Sequence, residues 1–422
     1  MPTDDPRPEF VPEWPTCERT QGCRAIPAGE GSRYCLEHLN REDQDAFIGS
    51  LRPGADLDLS GTVLSNELFT RVVSAFGDPE PHLTRFREVR LRRVWFQGPI
   101  SFEFGTFADA IDFAGAWFGG PVRADWGRIS RVLSFAGAQF TAGAELTGMA
   151  ARELDLTAAR FVGTASVSRI EGTVVCPRAR FEDGLVLTGP GAVYADSTYF
   201  GAISSIEGAT VLSLRHCDVG DLVLTDTKLR GCQFAGALRL DQLRIDGATK
   251  FATPPPGRWT RRRVLAEEWY WRGWSRETDP EMGAERLAAM YRSLRKSLED
   301  SKNEAGAGDF YYGEMEMRRH STETPRAERA ILWVYWLLSG YGQRAARAIA
   351  ALAVLIATVG TLLAVWGQPV AEAAQIAVGA VVLREPGAEL TEAGQWTVMV
   401  ARVLGPVLLA LAILAVRARV KR

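Results

Sequence analysis

The chain of 422 residues is poor in the side chains that catalysis most often uses. It has four histidines, and three of them, His82, His216 and His320, stand isolated in the sequence. No G-x-S-x-G, Walker A or H-E-x-x-H pattern occurs, and GPGAV (189–193) lacks the third glycine of a dinucleotide loop. No enzymatic activity is therefore expected. Six cysteines spread over this length make no disulfide framework, which points to a reducing compartment. A dominant charge is also missing: 49 basic and 51 acidic residues leave a net charge of −2, so no nucleic-acid partner is expected. Only five of the basic residues are lysine, the bias of a GC-rich bacterial genome. The opening MPTDDPRPEFVPEWP has no apolar core, and no secretory signal is expected there.

What is present is a phrase that returns. FAGAWF (113–118), FAGAQF (135–140), LTAARF (156–161) and CPRARF (176–181) all read apolar, two small or polar residues, Ala, any residue, Phe. Looser copies are LRRVWF (91–96), ADSTYF (195–200), LRHCDV (214–219) and LRGCQF (229–234). Phe96, Phe118, Phe140, Phe161, Phe181, Phe200 and Val219 follow at intervals of 22, 22, 21, 20, 19 and 19. Such a period marks a solenoid, whose turns bury apolar side chains only against their neighbours. Within each phrase the anchors are five apart, which suits neither a helix nor a flat strand. It suits a square coil with sides of five residues, the central residue of each side pointing inward and the Ala two before it filling a slot with no room for more. Phe102 with Phe107 is a further five-step pair. Eight coils stacked about 4.8 Å apart would make a rod of roughly 38 Å.

These residues carry a resemblance. The block over 55–251 resembles bacterial pentapeptide-repeat proteins, with the unit A-(D/N)-(L/F)-x-x, although Asp or Asn is often missing beside the Ala. The resemblance implies a right-handed quadrilateral β-helix. DLDLSG (56–61) would be its first coil and LSNELFTRVVSAF (64–76) a helix closing that end, so the solenoid is assigned to 46–252. Cys176, Cys217 and Cys232 fall on anchor or Ala slots and read as small core residues.

Ahead of the repeats, residues 1–45 hold Cys17, Cys23, Cys35 and His38 within 22 positions. Three thiolates and an imidazole make the closed donor set of a structural zinc site. Here metal would supply much of the folding energy of a segment with little core. Free thiols or a redox pair are the other readings of these cysteines.

The repeats end near Phe251, and PPPG (254–257) breaks the chain. Residues 258–328 read as helices that cap the solenoid or, alternatively, bind a peptide; NEAGAGDFYYGEMEMRR resembles a segment found between such repeats and membrane spans. Leu287, Met290, Tyr291, Leu294 and Leu298, then Phe310, Tyr311 and Met315, follow helical spacing with a break at 301–303. AILWVYWLLSGYG (330–342), rich in Trp and Tyr, reads as an interfacial helix. Residues 348–366 carry no charge, and 398–416 carry only Arg402, which is expected to snorkel from near the outer end. Arg344, Arg347, Arg417, Arg419, Lys421 and Arg422 flank the two runs, whereas the loop 367–397 holds one Arg against Glu372, Glu385, Glu389 and Glu392. The positive-inside rule then puts both termini in the cytoplasm and the loop outside, as in a multi-pass plasma-membrane protein.

Three functions are compatible with this plan. The first is a membrane-anchored scaffold with the lipid bilayer and an unidentified cytoplasmic protein as partners. The second is a channel or sensor, in which VAEAAQIAVGAVVL (370–383) would be a pore segment between outer and inner helices. Nothing matches TVGYG, AVGAV (377–381) being the nearest stretch, and conduction would require a homo-oligomer. The third is DNA mimicry, as in gyrase-protecting members of the repeat family, which needs an acidic rod. Residues 87–251 instead hold 18 basic and 18 acidic side chains. The scaffold is the expected function.

Overall fold

The computed structural model describes residues 7–52, 54–75, 86–104, 110–126, 132–148, 151–256, 262–275, 282–385, 387 and 389–420. His82, Phe107, Lys421 and Arg422 lie outside them, as do Phe76 at the end of the closing helix and Gly257 of the PPPG break. The chain divides into two compact units, Met1–Pro255 with Leu265–Glu267, and Pro256–Val264 with Glu268–Arg422.

The first unit is a parallel β-solenoid. Three sheets of ten, seven and eight strands run along it, and each strand pairs with its equivalents one turn away. The pairing register carries Trp117 and Phe118 onto Gln139 and Phe140, and those onto Arg160 and Phe161. Among the described residues three sides of the coil carry ladder strands, and the remaining side is held to its neighbours by single bonds such as Gly191 N–H to the Ile170 carbonyl, 3.0 Å. Two helices stand with it, α1 (Arg41–Ser50) and α2 (Asn66–Ala75). The second packs Phe69 edge-on against Phe96, where the sequence places the closing helix.

The inward pattern is the one the spacing predicts. Phe118, Phe140, Phe161 and Phe181 are fully buried, and so are Ala116, Ala138, Ala159 and Ala179 two residues before them. In the looser copies the same buried slot takes Val94, Thr198 and Cys217, so it admits small side chains rather than Ala alone. The rings of Phe96, Phe118, Phe140, Phe161 and Phe181 stack at 4.9, 4.6, 4.3 and 5.0 Å, close to the strand spacing that sets them. A second column is started by Phe113 and Phe135, 4.9 Å apart.

Before this slot, whether it holds Ala or Val94, Thr198 or Cys217, the chain turns a corner with a left-handed residue. Arg93, Gly115, Gly137, Ala158, Arg178, Ser197, His216 and Gly236 all have φ between 53° and 73°. The turn is closed by a hydrogen bond such as Ala138 N–H to the Phe135 carbonyl, 2.9 Å. The second small or polar position of the phrase is therefore a backbone requirement. LRGCQF (229–234) departs from the expected register. Its Gln233 pairs with Ser213, and Leu214 donates to the Gln233 carbonyl, so Phe234 stacks on Leu214 as an opening anchor, one side earlier on the coil. The Phe-bearing sheet accordingly has seven strands, and at Asp218 only an isolated bridge continues it.

Crowding and conformation can be separated by two substitutions. A Cβ at Gly172 would lie 1.9 Å from the Ala151 carbonyl oxygen and 2.7 Å from that of Arg152. Gly172→Ala is expected to destabilise the solenoid by about 3 kcal/mol, because backbone atoms must give way. At Gly137, with φ +65° and open space around a Cβ, Ala should cost only about 1 kcal/mol of left-handed strain. Equal losses in denaturant titrations of the two variants would contradict this packing.

The second unit is helical. After Pro256–Val264 it takes in α3 (Ala266–Trp271) from Glu268 onward and continues with α4 (Ala284–Asp300) and α5 (Glu304–His320). These two pack as a hairpin, and Asn303 caps α5 by accepting the Gly306 N–H at 2.9 Å. Leu287, Met290, Tyr291, Leu294, Leu298, Phe310 and Met315 are buried as expected, but Tyr312 takes the inward position expected of Tyr311, which is half-exposed. Next come α6 (Arg326–Ser339), α7 (Ala345–Val365), α8 (Val370–Val381) and α9 (Glu392–Val420).

Helices α7 and α9 are long and apolar enough to cross a membrane, over Ala345–Val365 and Glu392–Arg417. The second starts six residues before the run read from sequence. Ala345 and Ala348 pack on Ala412 and Ala415, so the two helices are antiparallel, with small side chains letting their backbones approach. Between them sits α8, with Ala373, Ile376, Ala377 and Ala380 against Val359, Leu363, Val398 and Ala401. The loop read from sequence is thus partly a buried helix. AVGAV (377–381) lies on it, with its backbone helical rather than extended as a carbonyl filter needs. Arg402, inside α9, donates to the Arg384 carbonyl at 2.9 Å, in the connection beyond the end of α8.

Candidate functional site

The four N-terminal donors converge. A turn at Gly22 (φ +99°), closed by the Cys23 N–H to the Thr20 carbonyl at 3.2 Å, returns the chain after Cys17. Cys17 N–H then meets the Ala25 carbonyl, and Ala28 N–H meets the Tyr34 carbonyl, each at 2.9 Å, which brings Cys35 back beside Cys17. Cys35 leads into a single 3-10 turn, Leu36–His38, placing the imidazole beside the thiols. The segment is fastened to the first coil by Ile26 N–H to the Ser60 carbonyl, 2.9 Å, and by the Arg7 guanidinium on the Gly61 and Arg93 carbonyls at 2.8 and 2.7 Å.

All four ligand atoms lie within 4.8 Å of one another. His38 Nδ1 is 3.4 Å from both Cys17 Sγ and Cys35 Sγ, and Cys23 Sγ is 4.0 Å from Cys35 Sγ. A tetrahedron with Zn–S about 2.3 Å and Zn–N about 2.0 Å has edges of about 3.5–3.8 Å, and the contacts of 3.4, 3.4 and 4.0 Å are close to them. Cys17 and Cys35 are buried, and Cys23 is half-exposed. The hydrogen bond from Cys35 pulls the Cys23 thiol down to about 5, with help from the Ala25 backbone and from His38 and against burial. The same contact, together with burial, pushes Cys35 up. The cluster can hold a metal ion.

The other cysteines are of a different kind. Cys176, Cys217 and Cys232 are buried in the solenoid, where burial pushes Cys176 and Cys217 up to about 12 and Cys232 well up. They are inert core residues. Of the described isolated histidines, His216 occupies a left-handed corner, and His320 meets the Glu316 carbonyl at 2.8 Å and stands edge-on to Trp271.

Sequence reading missed a buried ionic network in the helical unit. Arg262 grips Glu268 with 2.5 and 2.6 Å contacts, Arg272 reaches the same carboxylate at 2.6 Å, and the Tyr291 hydroxyl donates to it. Arg272 also approaches Glu316 at 3.3 Å, and Glu316 receives Arg319 at 2.9 Å and the Tyr341 hydroxyl at 3.1 Å. Burial pushes the Glu268 carboxyl up, but Arg262 and Arg272 outweigh it and hold the group below its ordinary range. A set so densely paired is structural, tying the hairpin to the turn after α6. Its members are far apart in sequence and carry no motif.

At the far end of the solenoid a carboxylate is less well served. Glu267 is buried, with Oε1 accepting the Phe234 N–H and Oε2 lacking a hydrogen-bond partner. Burial raises its carboxyl to about 7, against the backbone donors and the charge of Arg215, which lower it. A raised acid stabilises the fold fully below its unfolded value of about 4.5 and loses that contribution as pH rises through about 7. Glu267→Gln is expected to flatten this fall and to leave the variant up to roughly 3 kcal/mol more stable above pH 8. Parallel stability–pH curves for variant and parent would refute the assignment.

No family model, curated protein or solved structure matches the chain.

Proposed function

We propose that this protein is a membrane-anchored scaffold, in which α7 and α9 hold a β-solenoid at the cytoplasmic face for a protein partner. The observation that carries the reading is the presence, in one chain, of a rigid stack of parallel coils and two helices apolar enough to span a bilayer. The orientation rests on charge. The antiparallel pairing of Ala345 and Ala348 with Ala412 and Ala415 gathers Arg344, Arg347 and Arg417 at one end of the hairpin. Glu385, Glu389 and Glu392 belong to the connection at the other. The five-step inward anchors, each with a small residue two before, favour a degenerate pentapeptide-repeat solenoid. We assign zinc to Cys17, Cys23, Cys35 and His38 as a closed structural site, on the tetrahedral separations of the donors.

Trypsin applied to spheroplasts and to inverted membrane vesicles tests the arrangement. The scaffold reading expects the solenoid to be cut only in inverted vesicles and the connection at Arg384 only in spheroplasts. Release of the chain by alkaline carbonate would refute the spans, and the reverse cleavage pattern would refute the orientation. The placement of α8 between the spans favours a second reading, a two-span channel-like assembly. Light scattering in mild detergent separates the two, since a monomer removes the pore and a stable tetramer supports it.

A further inference from the structure

Helix α6 has two unlike faces. Leu332, Tyr335, Trp336 and Ser339 turn toward Tyr312, Met315 and Tyr341, with Trp336 Nε1 donating to the Tyr312 hydroxyl at 2.9 Å. On the opposite arc Ile331, Trp333, Val334 and Leu337 are 68%, 50%, 49% and 50% exposed. A continuous exposed apolar stripe on a short helix needs a cover, and what adjoins it here is specific. The turn from Gly340 to Arg344 leads directly into α7, whose start carries Arg344 and Arg347, and the antiparallel packing brings the end of α9 with Arg417 to the same level.

The rim of the stripe is cationic. Arg326 and Arg329 lie on the first turns of α6, and Glu328, the acid of this helix, is tied to Arg318. At the other end Arg319 and Arg347 stack on Trp336 with guanidinium carbons 4.6 and 5.1 Å from the ring, Arg347 also donating to the Trp336 carbonyl at 3.3 Å. Apolar side chains and a Trp on α6, edged by Arg326 and Arg329 of the same helix and by Arg347 of α7, match a layer of acyl chains topped by phosphates.

We propose that α6 is a docking surface for the anionic phospholipid headgroups of the bilayer that α7 and α9 enter. The apolar arc sinks into the acyl boundary, and Arg326, Arg329 and Arg347 meet the phosphates. The proposal rests on the reading of α7 and α9 as spans, and the test is arranged so that the two fail separately.

The full-length protein carrying Val334→Cys is spin-labelled and placed in nanodiscs of phosphatidylcholine alone or mixed with phosphatidylglycerol. Collision with oxygen and with a water-soluble nickel chelate then reports depth, the unsubstituted protein giving the background of native thiols. A second label at Val354→Cys, 64% exposed on α7, reports on the span itself. The expected result is a several-fold fall in nickel accessibility at 334 when phosphatidylglycerol is present, abolished by Arg326→Gln with Arg329→Gln. A label at 334 open to nickel in both discs, with 354 shielded, overturns the docking and leaves the spans standing. Equal shielding in both discs overturns the anionic preference. Nickel access at 354 overturns the membrane reading and with it this one.

Discussion

Chelation of the purified protein is expected to release one zinc ion per chain and to unfold residues 14–39 while the solenoid stays folded. The segment contributes little core of its own, its buried apolar residues being Cys17, Ala25, Ala28, Cys35 and Leu36, with Tyr34 packed beside the cysteines. Its shape is held instead by the convergence of four donors, for which structural zinc supplies roughly 10–16 kcal/mol in peptides of this kind. Without the ion nothing would hold the four donors together, and the segment would open. Cys35→Ala should lower zinc affinity by orders of magnitude and abolish hydrogen-exchange protection at Cys17, Ala28 and His38. Cys176→Ala, buried in the solenoid, should retain a full equivalent of zinc. Elemental analysis and exchange mass spectrometry read both outcomes. Metal-free protein with intact protection in this segment would end the zinc assignment.

Phe140→Ala is expected to be the most damaging substitution in the solenoid core, costing about 3–5 kcal/mol. Its ring lies 4.6 Å from Phe118, 4.3 Å from Phe161 and 5.5 Å from Phe135, so removal opens the middle of one column and uncovers the flank of the other. The coil cannot collapse onto the gap, because the spacing of its turns is fixed by backbone pairing on either side. Phe200→Ala should fall at the low end of the same range, since that ring sits 6.1 Å from Phe181 near the end of the stack. Denaturant unfolding in mild detergent, followed by the strand signal in circular dichroism, measures both. A loss below about 1.5 kcal/mol for Phe140→Ala would show that the stack does not hold the coil.

The solenoid and the metal-ligand cluster were legible for one reason. Their information is periodic or compact: Phe at intervals of 19 to 22 along the chain, and four donors within 22 positions. Where the pattern loosened, reading failed. LRGCQF has the right letters, yet Phe234 occupies the other anchor, because the choice between two inward columns depends on pairing with Leu214 rather than on local spacing. Tyr311 and Tyr312 are adjacent aromatics, and only the packing of α6 on α5 selects Tyr312.

By itself the sequence determined that this chain coils with a bore of phenylalanine and alanine, that its N-terminal cysteines and His38 form one set, and that two helices are apolar enough for a bilayer. Each of these follows from side-chain chemistry repeated at a fixed interval or concentrated in a short stretch. The tertiary structure alone decided the rest: the network around Glu268 and Glu316, the unpartnered oxygen of Glu267, the burial of α8, and the exposed arc of α6. Those features depend on which side chains meet across tens of residues. The energy of a buried charge or an uncovered apolar face is set by its surroundings, and no local pattern in the chain records it.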